Sequence, residues 1–322
     1  MASGSKKAII AAMLANLGIA IAKFVGYAVT RSSSMLAEAI HSVADTSNQA
    51  LLLLGSKQAA QKATREHPFG FGRERYFWSF IVALVLFTFG GLFAIYEGWH
   101  KLGNTSHEIA NPQWAVGILV FGIILEGGSF RTAVNESRPL KGSASWWSFI
   151  RHSRTPELPV VLLEDLGALM GLFLALAGVS VSAMTGDSRW DAGATISIGV
   201  LLVIIAAVLV FEMKSLLIGE SARRPTREKI LAAIEGTDAV TQVIHMRTQH
   251  LGPDELLVGA KIQLEPSLDA AGVAAGINQA ETAVREVVPI ATLIYLEPDI
   301  VDPNHPDLVD DEPGAEGSPS SR

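Results

Sequence analysis

Cysteine is absent from the sequence, which excludes disulfides, thiolate metal sites and cysteine nucleophiles while leaving the compartment open. Charge is also scarce. Only 18% of residues are charged against 49% hydrophobic, and the mean hydropathy is positive, too apolar a mixture for an ordinary soluble protein. No Gly-rich phosphate loop is present, which argues against an ATP-driven pump. No span or loop pairs a nucleophile with a base, so the chain does not read as an enzyme and calls for no prosthetic group. The net charge of −7 is concentrated at one end. Beyond Pro298 stand Asp299, Asp302, Asp307, Asp310, Asp311, Glu312 and Glu316 against Arg322 alone. The body is left near neutral, and its charge points to no nucleic acid or other charged partner.

What the chain does have is long apolar runs. Ala8 to Val29 is the first, too long for a signal peptide and without its cleavage site, so it reads as a retained helix carrying Asn16 and Lys23 on one face. Lys23 either pairs with an acid on a neighbouring helix or snorkels to the surface. Further spans run from Tyr76 to Tyr96, Trp114 to Val134 (with Glu126 inside), Val160 to Met184 and Ala192 to Phe211. Glu126 is expected to pair with Lys23 or with an interhelical hydroxyl. Trp146, Trp147 and Phe149 suggest a short helix lying on the membrane interface.

The second span, Ser33 to Leu54, differs from the others. It carries Ser34, Glu38, His41, Asp45 and Asn48 at spacings of 4, 3, 4 and 3, which stack along one helical face. Ionisable groups on a spanning helix are expensive in lipid, so this face must look toward other helices or water. His41 and Asp45, four apart, can offer one divalent cation an imidazole nitrogen and a carboxylate oxygen. The alternative is a structural ladder of salt bridges and hydrogen bonds, which seldom needs three titratable residues.

The fifth span supplies a partner for the stripe. Asp165 is expected at the depth of His41 and Asp45, followed by Gly167, Ala168 and Gly171, small enough for close helix approach. One nitrogen with carboxylate oxygens suits Zn²⁺ and tolerates Mn²⁺, Co²⁺ or Fe²⁺. Glu164 lies about 100° round the helix from Asp165. It can act as a fourth ligand, as a partner behind the ligands, or at the mouth of the groove. His67, His245 and His250 lie elsewhere, each more ordinary as a lone histidine than as a second metal site.

Basic residues set the orientation. Lys57, Lys62, Arg65, Arg73 and Arg75 fill one connection, and Arg131, Arg138, Lys141, Arg151 and Arg154 another. The alternate connections hold only Arg31, Lys101 and Arg189. That asymmetry predicts six spans with both termini in the cytoplasm. From residue 223 the composition becomes that of a small soluble domain. Its expected order is a helix over Thr226–Glu235, strands over Ala239–Leu251 and Leu256–Leu264 around a Gly252-Pro253-Asp254 turn, a helix over Ala270–Val288, and a strand over Thr292–Leu296. An α-β-β-α-β order fits a small antiparallel α+β sandwich. Residues 299–322 read as a disordered acidic tail.

SSSMLAEAIHSVADTSNQALLLLG, followed by HPFGFGRERYFWSFIVAL, resembles the cation diffusion facilitator family of divalent-metal/proton antiporters. The six spans, the small cytoplasmic domain and the KSLLIGESA exit extend the likeness over about residues 8–298. The resemblance implies a six-helix transport domain over residues 1–222 and a ferredoxin-like α+β dimerisation or regulatory domain over 223–298. It matches His41 and Asp45 to metal ligands of the second helix and Asp165 to the second acid of a fifth-helix pair. The first acid departs from the common pattern: that position is Val161, an acid stands instead at Glu164, and VLLEDLGALMG resembles the subgroup with a Glu-Asp pair. The His-rich cytoplasmic loop of many zinc members is also missing. The expectation is a homodimeric, multi-pass transporter in a bacterial plasma (inner) membrane, exporting a divalent metal, foremost Zn²⁺, for protons. The rival reading is a non-transporting membrane metal sensor or scaffold.

Overall fold

The computed structural model describes residues 3–103 and 111–301, with side chains from residue 16 onward. The expected acidic tail lies, beyond its first residues, outside the described part, as does the loop holding His107. The chain divides into two compact units, Met1–Leu217 and Ile218–Arg322.

The first unit is helical. Helices α1 (Ser3–Thr30) and α2 (Ser33–Ala59) are joined by a two-residue turn. Arg31 takes the left-handed region there, at φ 58°, and Ser32 caps α2 by accepting from the Met35 amide. The third span, Glu74–Gly103, is continuous but not uniformly α-helical. It comprises α3 (Glu74–Val85), a π-helical stretch over Leu86–Leu92, and α4 (Phe93–Gly103). Next come α5 (Pro112–Lys141), the short α6 (Trp146–His152) at the expected aromatic cluster, α7 (Glu157–Thr185) and α8 (Arg189–Ile218).

The third span and α5, α7 and α8 are each long and apolar enough to cross a membrane. With α1 and α2, of 28 and 27 residues, they make an α-helical membrane unit of six long helices. Its core packs Leu86, Leu119, Leu172, Ile198, Leu202 and Leu209. Outside, Phe89, Phe121, Ile124, Phe173, Ile204 and Phe211 are exposed, an apolar exterior suited to lipid tails. The π stretch holds Gly90 and Gly91, where the third span comes close to α8: a Cβ on Gly91 would lie 3.2 Å from the Val203 backbone nitrogen. A π turn at such a crossing inserts one residue without breaking the helix.

One buried cluster ties the start of α2 to α8 and α4. Asp191, fully buried, accepts from Ser32 Oγ at 2.8 Å, from Ser33 N at 2.8 Å, from Ser33 Oγ at 3.0 Å and from Ser34 Oγ. Lys101 Nζ pairs with it at 2.9 Å and also donates to the Arg31 carbonyl. The Ser-Ser-Ser run thus serves as an anchor for the helix that carries the polar stripe.

In the second unit, α9 (Arg224–Glu235) precedes β1 (Val240–Gly252), β2 (Glu255–Leu264), α10 (Ala270–Val287) and β3 (Leu293–Pro298). The sheet order is β1-β2-β3. β2 alternates buried and half-buried residues, presenting Leu256, Val258, Ala260 and Ile262 to Ile230 and Ile234 of α9 and to Ala280 and Val284 of α10. β1 and β2 form an antiparallel hairpin closed by the Gly252–Glu255 pair, as the turn residues predict. β2 and β3 are parallel, so the expectation of an antiparallel sandwich is corrected. The physical reason is α10, a crossover that returns the chain to the same end of the sheet. The element order, an α+β unit, stands.

The Asp191 cluster gives a stability prediction. Asp191→Ala strands the Lys101 ammonium and the serine donors in a dry pocket, which costs roughly 3–5 kcal/mol for a broken buried pair. Thermal unfolding in detergent micelles should show a large drop in midpoint, and an unchanged midpoint would remove this anchor from the account.

Candidate metal centre

The polar residues of α2 form a line whose surroundings change from turn to turn. At its start is the Asp191 cluster. One turn on, Glu38 and the Lys23 ammonium of α1 form a buried ion pair at 3.1 Å, and Lys23 also donates to Ser42 Oγ at 2.7 Å. Lys23 and Glu38 are 1% and 0% exposed, so Lys23 pairs inside the helix bundle and does not snorkel. Glu126 of α5 stands within electrostatic reach of the same ammonium. At the far end of the line, Asn48 Nδ2 donates to Glu164 Oε1 of α7 at 2.7 Å.

Along the middle of the line the pattern breaks. His41 is 1% exposed and its Nδ1 lies 3.6 Å from Asp45 Oδ1, too long for a hydrogen bond. Both ring nitrogens of His41, Asp45 Oδ1, Asn48 Oδ1 and Glu38 Oε1 are buried without hydrogen-bond partners. An unsatisfied buried polar group costs roughly 1–3 kcal/mol. Five such atoms lie on one helix face, and the three oxygens with one of the two imidazole nitrogens are lone-pair donors of the kind a cation takes. Gly90 of the π stretch faces this place: a Cβ there would sit 3.6 Å from His41 Nδ1. Gly171 of α7 lets that helix close on the stripe, since a Cβ would meet Glu38 Oε1 at 2.5 Å.

The structure sets Asp45 beside His41 and, on its other side, in interaction with the Glu164 carboxyl of α7. It does not bring Asp165 to them. Asp165 is half-buried and accepts from Ser129 Oγ of α5 at 2.9 Å. The two neighbouring acids of α7 thus face different helices. Among the described residues no three His, Cys, Asp or Glu side chains gather closely enough to hold one ion. The donors are strung along α2 instead. His67 is exposed and packs on Phe71, while His245 and His250 lie on β1, none of them in such a group. Asn48, which orders Glu164 through its amide, was visible in sequence only as a member of the stripe.

The Lys23–Glu38 pair can be tested apart from any cargo. Lys23→Met alone leaves a buried carboxylate uncompensated and should destabilise by roughly 3–5 kcal/mol, whereas adding Glu38→Gln should recover much of the loss. Unfolding midpoints of the two single variants and the double variant measure that coupling, and simple additivity would argue against it.

Residues 9–218 match the Cation efflux transmembrane domain. The chain is 30% identical over 264 residues to a protein of Xenopus laevis named "Proton-coupled zinc antiporter SLC30A9, mitochondrial", covering 81% of this chain and 47% of that one. To the human protein of the same name it is 30% identical over 246 residues, 76% of this chain and 43% of the other. To "Metal tolerance protein C4" of Arabidopsis thaliana it is 29% identical over 262 residues, 80% and 57% respectively. The chain therefore spans about half the length of the curated relatives it matches. With a matched domain that covers more than half of the chain and nearly all of the helical unit, the chain belongs to the cation diffusion facilitator family of membrane metal transporters.

Proposed function

We propose that this protein is a secondary active transporter that moves a divalent transition-metal cation out of the cytoplasm in exchange for protons, with Zn²⁺ as the preferred cargo. The observation that carries this reading is the break in the stripe: buried atoms of His41, Asp45 and Asn48 without partners, beyond the well-bonded Asp191 cluster at its start. The zinc and proton terms in the relatives' names support the finer choice of cargo and coupling. His41 supplies nitrogen and Asp45 and Glu164 supply oxygen, a set that suits Zn²⁺ and accommodates Mn²⁺, Co²⁺ or Fe²⁺. Asp165, about 100° round α7 from Glu164, is the second carboxylate candidate on that helix. The domain division at about residue 223, the cytoplasmic termini and a homodimer formed through the α+β unit belong to the same reading.

The coupling follows from ligand chemistry. A carboxylate or imidazole lone pair holds either a proton or the metal, so the two compete for one place. A site opened toward the side of higher proton activity gives up its cation, and a site opened toward the cytoplasm recovers it. Apparent metal affinity should therefore fall as pH is lowered. Proton release on Zn²⁺ binding, measured with a pH dye in weakly buffered micelles, checks this: binding without proton release would leave a transporter but remove antiport.

Two substitutions test the site itself. Asp45→Ala should nearly abolish Zn²⁺ uptake into proteoliposomes in a metal panel while the protein remains in the membrane. Full uptake by that variant would defeat the assignment, and no uptake of any metal by the unaltered chain would favour the sensor or scaffold. Glu164→Gln should weaken Zn²⁺ binding more than Asp165→Asn, and by at least the roughly 10–100-fold loss typical of groups just outside a metal's ligands. The reverse order would hand the role to Asp165.

A further inference from the structure

Asn48 is fully buried, and its two amide ends have opposite fates. Nδ2 donates to Glu164 Oε1 at 2.7 Å, while Oδ1 has no partner. The hydrogen bond fixes the rotation of the amide, because the flipped amide would set its oxygen against the carboxylate. The unpartnered oxygen is therefore the free end of an amide whose other end orders the Glu164 carboxylate.

The position of that oxygen separates it from His41. Asp45 is three residues before Asn48 on the same helix face, about 4.5 Å along the axis, whereas His41 is seven residues away, about 10 Å. Asp45 stands between them, near His41 Nδ1 through one oxygen and in interaction with Glu164. The donors thus fall into two groups that share Asp45, which accords with the lack of any three-ligand cluster of His, Cys, Asp and Glu among the described residues. One group is nitrogen and oxygen, His41 with Asp45. The other is oxygen alone: Asp45, Glu164 and the Asn48 carbonyl. An amide oxygen adds a ligand without adding charge, so the second group can hold a divalent cation at full charge balance.

Resting on the transport reading above, we propose that Asn48 is a direct ligand of the cargo, completing an all-oxygen station with Asp45 and Glu164 on the side of His41 toward the C-terminal end of α2. The basic loops mark that end as cytoplasmic, so this station meets the cation first. Carboxylate and carbonyl oxygens suit Mn²⁺ and similar hard cations, whereas imidazole favours Zn²⁺. The first station admits a broader class of divalent ions than the His41 station beyond it retains, and Asn48 governs which ions are admitted.

The test measures Zn²⁺ and Mn²⁺ binding separately, by calorimetry, to the full chain in detergent micelles. Asn48→Leu keeps bulk but removes both the ligand and the donor. It should weaken Mn²⁺ at least about tenfold, the loss that even outer partners of a metal produce, and Zn²⁺ by a clearly smaller factor. Asn48→Asp keeps an oxygen and loses the donor to Glu164, so it should hold Mn²⁺ as well as the unaltered chain does. It also carries the test if the leucine variant does not fold. Equal losses for both metals in both variants would make Asn48 only a positioning residue for Glu164 and overturn the proposal, as would an Asn48→Leu protein that binds Mn²⁺ normally. An unaltered chain that binds neither metal would overturn the transport reading, and this inference with it, whereas normal binding with uniform losses in the variants defeats only the role of Asn48.

Discussion

A line of polar groups on a helix packed among apolar ones has to be satisfied from within the bundle, and most of the helical unit is arranged around that requirement. In the hydrocarbon region no bulk water repays an unmade hydrogen bond. Each turn of α2 therefore recruits a different neighbour: Asp191 of α8 for the serines, Lys23 of α1 for Glu38, Glu164 of α7 for Asn48. The helices that provide those partners are the ones that must stay close, and glycine allows it where Gly171 meets Glu38 and where Gly91 meets α8. The cationic partners are two lysines and the anionic ones carboxylates, so satisfaction is achieved largely by charge pairs, which are costly to break singly. Against that background the unpartnered atoms of His41 and Asp45 stand out, because neither side chain has a hydrogen-bonding ion pair or cap of the kind that Glu38 and the serines have.

Much of this was legible in the sequence, and the parts that were not share a cause. The span lengths, the stripe and the elements of the α+β unit follow from periodicity and turn residues, which are local. Ala270, for example, begins α10 because Asp269 accepts from the Gly272 amide, a cap that a sequence displays directly. The pairing of β3 beside β2 is not local, and the parallel sense came from the crossover rather than from the strand itself. Lys23 could be read equally as paired or snorkelling, since the choice depends on whether Glu38 lies at its height on the next helix. Glu164 and Asp165 illustrate the limit most sharply. They are adjacent, both acidic, and separated by about 100° of helical rotation. Which one meets α2 is set by how α7 is rotated in its packing, with Gly167 turned to Ile205 and Gly171 to Glu38. No spacing rule applied to α7 alone contains that angle. The π stretch over Leu86–Leu92 was likewise invisible, because its residues carry no local signal that separates a π turn from an α turn.

Charge balance connects the structural pairs to the proposed transport. Lys23 and Glu38 cancel, as do Lys101 and Asp191, so neither pair offers a divalent ion a net attraction. What remains on the line is the carboxyl pair of Asp45 and Glu164, in interaction with each other and with no basic partner among their hydrogen bonds. Two buried like charges are unfavourable in a low-dielectric interior unless something cancels them. One divalent cation does so, and so do two protons, which is why a cation and protons are the natural alternatives for this place. On the transport reading, the lysine pairs neutralise Glu38 and Asp191 and leave Asp45 and Glu164 as the part of the line that a divalent cargo or two protons would cancel, with Glu126 and Asp165 as further acids near it. A monovalent ion would leave one carboxylate of that pair uncompensated.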